Sequence, residues 1–145
     1  MSLFHLLSIP ASGMAAQRQR AELLVENLAN AETTRTIEGG PFRRRDVVFE
    51  SQSQGSPFAA VFQDQLAAPA VGVGVSEVVV DDREPELRYQ PGHPDARPDG
   101  FVAYPRVQPA EDMADLMSAT RGYQANVSAM TAIKDMLQRS IDLMR

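Results

Sequence analysis

The chain has 145 residues, 43% of them apolar and none of them cysteine, and it carries a net charge of −5. The acidic balance argues against nucleic acid as the main partner, because phosphate binding needs a basic face. The absence of cysteine excludes thiolate catalysis, disulfides and Cys-ligated zinc. The length favours one domain, or one small domain with extensions.

The first predicted helix covers residues 14–31, with a start up to one turn earlier. Its apolar face carries residues at helical spacing, namely Met14, Ala21, Leu24 and Leu28. Ser8 is a candidate N-cap, and Pro10 fits the first turn of a helix. We expect the helix to end near Asn30, before a polar stretch. No run of residues approaches the roughly 18 apolar residues of a membrane span. Residues 1–9 lack the features of a cleaved signal.

The middle of the chain is cut into short pieces by proline and glycine. Short strands are predicted at residues 46–50, at Leu87 and Tyr89, and at residues 101–104. Residues 58–66 fit one or two helical turns. Valines alternate from Val71 to Val75, and the phase then shifts to Val78 and Val80, which indicates a β-bulge near Ser76. These segments predict a small β-rich insert.

The last third, residues 111–144, has the pattern of one long amphipathic helix that starts near Pro109. Steps of three and four residues give a mostly apolar stripe: Met113, Leu116, Thr120, Tyr123, Val127, Met130, Lys134, Leu137, Ile141 and Met144. The average step of 3.5 residues is that of a coiled-coil seam. Such a helix would be roughly 50 Å long, whereas a compact domain of this size is about 30 Å across. Its stripe therefore needs a partner, unless the helix is the core of a bundle, and the apolar face of the first helix is one candidate.

The sequence offers little that supports catalysis. His5 and His93 are too isolated for a metal site, and adjacent carboxylates on a strand or helix point apart. The glycines of residues 71–75 lack the pattern of a dinucleotide-binding loop. The basic cluster, residues 43–45, is interpreted as a solvated or interfacial patch rather than a nucleic-acid site. We expect no enzyme activity, no cofactor, no metal and no small-molecule substrate.

Four blocks give the chain a recognisable character. The first is residues 12–18 with Glu26-Asn27-Leu28-Ala29-Asn30-Ala31, and the second is residues 41–49. The third is residues 89–105, and the fourth is residues 117–127 continuing to residues 134–137. In these blocks the chain resembles the bacterial flagellar basal-body rod proteins, and the third block points to the proximal-rod member.

The resemblance implies an α+β fold in which long N- and C-terminal helices form a coiled-coil stalk around a small β-rich insert. The expected divisions are residues 1–40, 41–108 and 109–145. It further implies a structural subunit of the proximal rod in the periplasm, exported by the flagellar type III apparatus without a cleaved signal peptide. The implied partners are copies of itself, homologous rod proteins, and the membrane-embedded ring and export gate at the rod base.

In this interpretation the stripes and signature residues form the assembly interface. The candidate residues are Asn27, Leu28, Asn30, Met113, Leu116, Arg121, Tyr123, Gln124, Asn126, Val127, Met130, Lys134, Leu137 and Ile141. Polar members of this set would be buried at subunit joints and hydrogen-bonded there; the alternative is that they are ordinary solvated helix residues. Two other hypotheses remain open at this point, a periplasmic coiled-coil adaptor and another rod or hook-basal-body paralogue.

Overall fold

The computed structural model of the protein describes residues 3–53 and 71–143, with side chains described for residues 6–52 and 72–143. The elements in chain order are α1 (Leu3–Ala29), β1 (Arg45–Ser53), β2 (Val71–Val80), β3 (Glu86–Tyr89), β4 (Phe101–Tyr104) and α2 (Pro109–Leu143). Two helices with small antiparallel sheets between them confirm the α+β class, whereas the coiled-coil stalk stays a prediction. The turns predicted for residues 58–66 lie outside the described residues.

The two helices lie antiparallel, because contacts that ascend along α1 descend along α2. Gly13 faces Asn126, Gln17 faces Gly122, and the Arg20 guanidinium bonds the Asp115 carboxylate at 3.0 Å. A Cβ on Gly13 would lie 2.8 Å from the Asn126 Oδ1 atom. The small side chains therefore let the two backbones approach closely along much of α1.

α1 begins earlier than the sequence predicted. Ser8 and Pro10 were expected at its start, but the helix already begins at Leu3 and continues through Pro10. Proline removes one backbone N–H donor and crowds the preceding turn. Pro10 is nevertheless buried inside the continuous helix. The predicted end near Asn30 is confirmed, since the helix ends at Ala29.

β1 and β2 form the first sheet, an antiparallel pair that lies along α1. The register pairs Val48 with Glu77 and Phe49 with Val75, so Ser76 is an extra residue and the predicted β-bulge is confirmed. The Ser76 hydroxyl donates to the Val48 carbonyl at 3.2 Å. Near the far end of the sheet, the Val73 amide donates to the Ser12 hydroxyl of α1 at 3.1 Å.

Side-chain alternation accounts for the Val-Gly-Val-Gly-Val run at the start of β2. Val75 lines a groove against α1 together with Val47 and Val78. Successive side chains of a strand point to opposite faces, so the glycines occupy the outer face. There the Gln52 side chain lies directly over Gly74, at a position that a Cβ would occupy. The run is therefore a packing feature of the first sheet.

β3 and β4 form the second sheet, whose inner side contributes to the core. Val102 is completely buried, and Tyr104 is nearly so. Together with Phe42, Val107 and, on α1, Leu24, these side chains form the buried apolar set. Gly100 turns the chain into β4 with a φ of 81°, a backbone conformation that glycine adopts without strain. Ala16 of α1 and Ala119 of α2 are also buried, so the buried apolar residues are divided between the second sheet with its flanking segments and the helix pair.

Within the described parts of the chain, no helix is both long and apolar enough to cross a membrane. Across residues 3–53 and 71–143, no group of three or more His, Asp or Glu side chains is arranged to hold a metal ion.

Candidate assembly interface

α2 contacts α1 through a face of small and polar residues. Asp112 and Ala119 are each only 1% exposed, and Asn126 and Ile133 continue the same line in half-buried positions. These positions repeat every seven residues, as expected for a helix that packs along a neighbouring helix. Ala16 of α1 is also buried. The two helices of the chain therefore pair through this small-residue face.

The predicted apolar stripe lies one residue further along α2. Met113, Val127 and Lys134 each follow an inward-facing residue by one position. One residue turns a helix by 100°, so these three residues are rotated away from α1. Thr120 and Tyr123, in contrast, line a groove against α1. Tyr123 and Val127 are 42% and 41% exposed despite their size. The stripe is therefore only partly covered within the described part of the chain, and its pairing with α1 in a coiled coil stays a prediction.

The other predicted interface residues divide by exposure. Leu116, Met130 and Leu137 are half-buried and border both faces of α2, and Leu28 is half-buried on α1. The exposed members of the predicted set on α2 are Met113, Arg121, Tyr123, Gln124, Val127, Lys134 and Ile141. Met144, which ended the predicted stripe, lies outside the described residues.

Asn27 has a different role from the one predicted. Its side chain is 0% exposed, with Nδ2 donating to the Arg45 carbonyl at 2.7 Å and the Arg45 amide donating to Oδ1 at 2.9 Å. An amide side chain presents one donor and one acceptor in the way a peptide group does, which makes it suitable to pair with a strand terminus. Asn27 thus fixes β1 to α1 inside the subunit and is not available to a neighbouring chain.

Two further polar signature residues bond within their own helices. Asn30 donates to the Glu26 carbonyl at 2.9 Å and accepts from the Thr33 hydroxyl at 3.1 Å, which closes the end of α1. Asn126 donates to the Gly122 carbonyl at 2.9 Å, and its side chain packs against Gly13 across the helix pair. Both remain half-buried, so part of each side chain is still accessible.

The basic cluster of residues 43–45 is paired with carboxylates of its own chain. Arg43 bonds Asp82 at 2.9 Å, and Arg45 bonds Glu26 at 3.0 Å. Arg44 uses its two terminal nitrogens separately, one on Asp46 at 3.1 Å and the other on the buried Asp112 at 2.9 Å. Arg43 and Arg45 remain exposed, as a solvated patch predicts, whereas Arg44 is mostly covered and used inside the subunit.

Asp81, at the end of the first sheet, has a strongly perturbed carboxyl group. The Arg83 guanidinium hydrogen-bonds both carboxylate oxygens, at distances from 2.6 to 3.0 Å. These hydrogen bonds lower the pKa of Asp81 to about 2, against a smaller opposing effect of burial. The Arg83 amide donates to the same carboxylate at 3.0 Å. The ion pair thus closes the turn that leaves β2.

Two exposed methionines of α2 were not part of the predicted interface. Met117 and Met136 are 58% and 59% exposed, slightly more than Ile141 of the stripe at 57%. A search in steps of three and four residues passes over both, since they lie beside the stripe. In the sequence, these two residues are marked only as unbranched apolar side chains on a long helix. They widen the exposed apolar surface of α2.

Comparison with known proteins supports a structural role. The family described as "Flagellar basal body rod FlgEFG protein C-terminal" matches residues 99–143, which include β4 and α2. Relatives that match along the chain include a "Flagellar basal-body rod protein FlgC" of Bacillus subtilis, 40% identical over 99% of both chains. The protein of the same name from Escherichia coli O6:H1 is 35% identical over 99% of this chain and 98% of the relative. That from Borreliella burgdorferi is 31% identical over 100% of this chain and 99% of the relative.

Similarity of this extent along the whole chain shows that the protein belongs to the family of flagellar basal-body rod proteins. It is a structural rod subunit of the flagellar basal body, and its relatives indicate no catalytic family. The relatives that match it from end to end carry the name FlgC, so the similarity is to that branch of the rod proteins.

Proposed function

We propose that the chain is a subunit of the proximal rod and that its terminal helices build the wall of an axial drive shaft that transmits torque. In this proposal its partners are copies of itself and homologous rod proteins, with the membrane-embedded ring and the export gate at the rod base. Subunits reach the periplasmic rod through the flagellar type III export apparatus, without a cleaved signal peptide. Residues 1–40 and 109–145 form the rod core, and residues 41–108 form the insert.

The observation that carries this proposal is the uncovered apolar stripe on α2. Within the described residues, large apolar side chains of α2 stay exposed although α1 already lies along the same helix. Fully burying an exposed side chain of this size contributes about 1.5–3 kcal/mol, so covering one that is already half covered contributes roughly half as much. A stripe of several residues is therefore enough to hold a neighbouring helix, even after part of that free energy is offset by the cost of association.

In the proposed rod, α2 makes contacts through two different faces. Its small-residue face binds α1 of the same chain, and its apolar stripe binds a helix of the next subunit. Because the two faces differ, each contact is heterologous, and repeated heterologous contacts that do not close generate a helical tube. The proposed interface keeps these predicted residues: Leu28, Asn30, Met113, Leu116, Arg121, Tyr123, Gln124, Asn126, Val127, Met130, Lys134, Leu137 and Ile141. Asn27 is excluded because it is buried within its own chain.

Imaging basal bodies from cells with and without the chain tests the proposal. We expect many copies per basal body in the parent strain, and no rod beyond the membrane-embedded ring in the deletion strain. Expression of the chain from a plasmid should restore the rod, which controls for effects on neighbouring genes. An intact rod in the deletion strain would refute the proposal, and a fixed low copy number would favour the alternative of a periplasmic adaptor.

A further inference from the structure

Three consecutive arginines contact three different parts of the fold. Arg43 bonds Asp82 just after β2, Arg44 bonds Asp112 in the first turn of α2, and Arg45 bonds Glu26 in the last turn of α1. Arg45 is the first residue of β1, and Arg43 and Arg44 directly precede it, at the base of the first sheet. This short segment therefore connects the base of the first sheet to the ends of both helices.

The Arg44–Asp112 contact is the most buried of the three. Asp112 is 1% exposed and bonds Arg44 at 2.9 Å, and the side chain of Arg44 is 21% exposed. A buried carboxylate that loses its cation is strongly destabilised, so the first turn of α2 and the start of β1 depend on each other. The other terminal nitrogen of Arg44 bonds Asp46, which keeps the guanidinium aligned between strand and helix.

Backbone hydrogen bonds strengthen the same junction. Asn27 bonds both the amide and the carbonyl of Arg45, and the Asp81 amide donates to the Arg44 carbonyl at 2.8 Å. The Arg43–Asp82 pair is largely exposed, and exposed pairs contribute little to stability. The junction thus depends mainly on Arg44 and on the backbone of Arg45.

Away from this base, the first sheet is held less firmly. Val48, Phe49 and Val73, which lie beyond the first pairs of the register, are each about 40% exposed although the sheet lies along α1. A hydrogen bond from the Val73 amide to Ser12 is the described polar contact at the far end. An element that is well anchored at one end and partly packed along its length changes orientation when its anchor is removed.

We propose that Arg43, Arg44 and Arg45 form a brace that sets the orientation of the first sheet relative to the helix pair, with Arg44–Asp112 as the central contact. Breaking that contact leaves the helix pair and the sheet folded but lets the sheet change its angle to α2. The brace is a property of the isolated chain. Its use, to keep the insert fixed while the rod turns, depends on the proposed function.

Distance measurements between two spin labels test the brace in the purified full-length chain. The natural chain has no cysteine, so cysteines introduced at Glu50 on β1 and Ala129 on α2, both exposed, are the only labelling sites. In the parent background we expect a narrow distance distribution. Asp112→Asn keeps the shape of the side chain and removes its charge, and it should broaden the distribution about twofold while far-UV circular dichroism keeps the helix signal.

Asp115→Asn is the matched control. It makes the same change on the same helix and breaks the Arg20–Asp115 pair, which joins the two helices and not the sheet. The control should leave the distribution as narrow as in the parent. If Asp112→Asn fails to fold, Arg44→Lys decides, because it keeps the charge but cannot reach Asp46 and Asp112 together.

If Asp112→Asn folds and its distance distribution is as narrow as the parent's, the brace is overturned. If Asp112→Asn does not fold, an equally narrow distribution in Arg44→Lys overturns it. Equal broadening in Asp115→Asn would also overturn it, since the effect would not be specific to the junction. Neither result would affect the rod assignment, which is tested on basal bodies in cells.

Discussion

Asn27 combines complete burial with two hydrogen bonds to one backbone position, the amide and the carbonyl of Arg45. Sequence reasoning identified this residue as important but placed it at a joint between subunits. A one-chain sequence does not reveal whether a helical asparagine is buried by its own chain or by a neighbour. The partner here lies 18 residues away at the start of β1, beyond an irregular segment, and no helical periodicity predicts such a contact.

We expect Asn27→Ala to lower the free energy of unfolding by about 2 kcal/mol, because it leaves a buried donor and acceptor of Arg45 without partners. Urea denaturation followed by circular dichroism measures the change. Asn30→Ala is the control, since it removes a hydrogen bond at a half-buried helix end, and it should cost less than about 1 kcal/mol. Equal losses in the two variants would contradict the role assigned to Asn27.

The Asp81–Arg83 pair gives a prediction of pH dependence. The hydrogen bonds from Arg83 hold the pKa of Asp81 at about 2, below the ordinary value of 3.8. Because the folded-state pKa is the lower one, the stabilisation is fully present above about pH 5 and is lost as the pH falls from about 4 towards 2. The Arg83 side chain is 64% exposed, so we expect only about 1 kcal/mol at most.

Unfolding free energies measured between pH 5 and pH 2, in the parent and in Asp81→Asn, check this expectation. The difference between the two proteins should shrink as the pH approaches 2, because protonation removes the same charge from the parent. A difference that stays constant over this range would show that the ion pair does not titrate as described.

At the scale of whole elements, the presence of two long helices and the strand positions follow largely from the sequence, whereas the early start of α1 at Leu3 does not. The bulge at Ser76 is one example, because a shift in the phase of valine alternation requires an extra residue in the strand. The inward face of α2 does not follow in this way. Periodicity searches give weight to large apolar side chains, whereas α1 and α2 meet through Ala119, Gly122 and Asn126, which such searches pass over.

Because the two helices approach closely, the effect of one substitution on the free energy of unfolding should change sign with the residue opposite it. Gly13→Ala favours the helix by about 1 kcal/mol in isolation, but its Cβ would lie 2.8 Å from Asn126 Oδ1. We therefore expect it to destabilise the parent chain. In an Asn126→Ala background the obstacle is absent, and the same change should stabilise the chain.

A double-mutant cycle over Gly13→Ala and Asn126→Ala measures this coupling as a difference in unfolding free energies. Coupling of about 1 kcal/mol or more between the two sites is the expected result. Additive effects would mean that the helices do not approach at Gly13 as closely as the structure places them.

For the molecule as a whole, α2 is shared between its own chain and its surroundings. One face closes the subunit against α1, and the stripe beside it remains exposed. The sequence predicted that the stripe needs a partner but left α1 as one candidate for it. That ambiguity arises because the stripe borders the face that contacts α1, and only the three-dimensional packing shows which of its residues stay exposed.

The most direct test of this shared role is to change the exposed stripe without changing the folded chain. The double variant Met113→Ala, Val127→Asp alters two side chains that are 52% and 41% exposed, and we expect the purified chain to keep its unfolding free energy within about 1 kcal/mol. The same variant, expressed at parental level in cells that lack the natural chain, should not enter basal bodies, and the cells should not swim. Gln138→Asp, another exposed position on α2, serves as the control and should assemble normally. Normal incorporation and swimming of the double variant would contradict the claim that the stripe binds the next subunit.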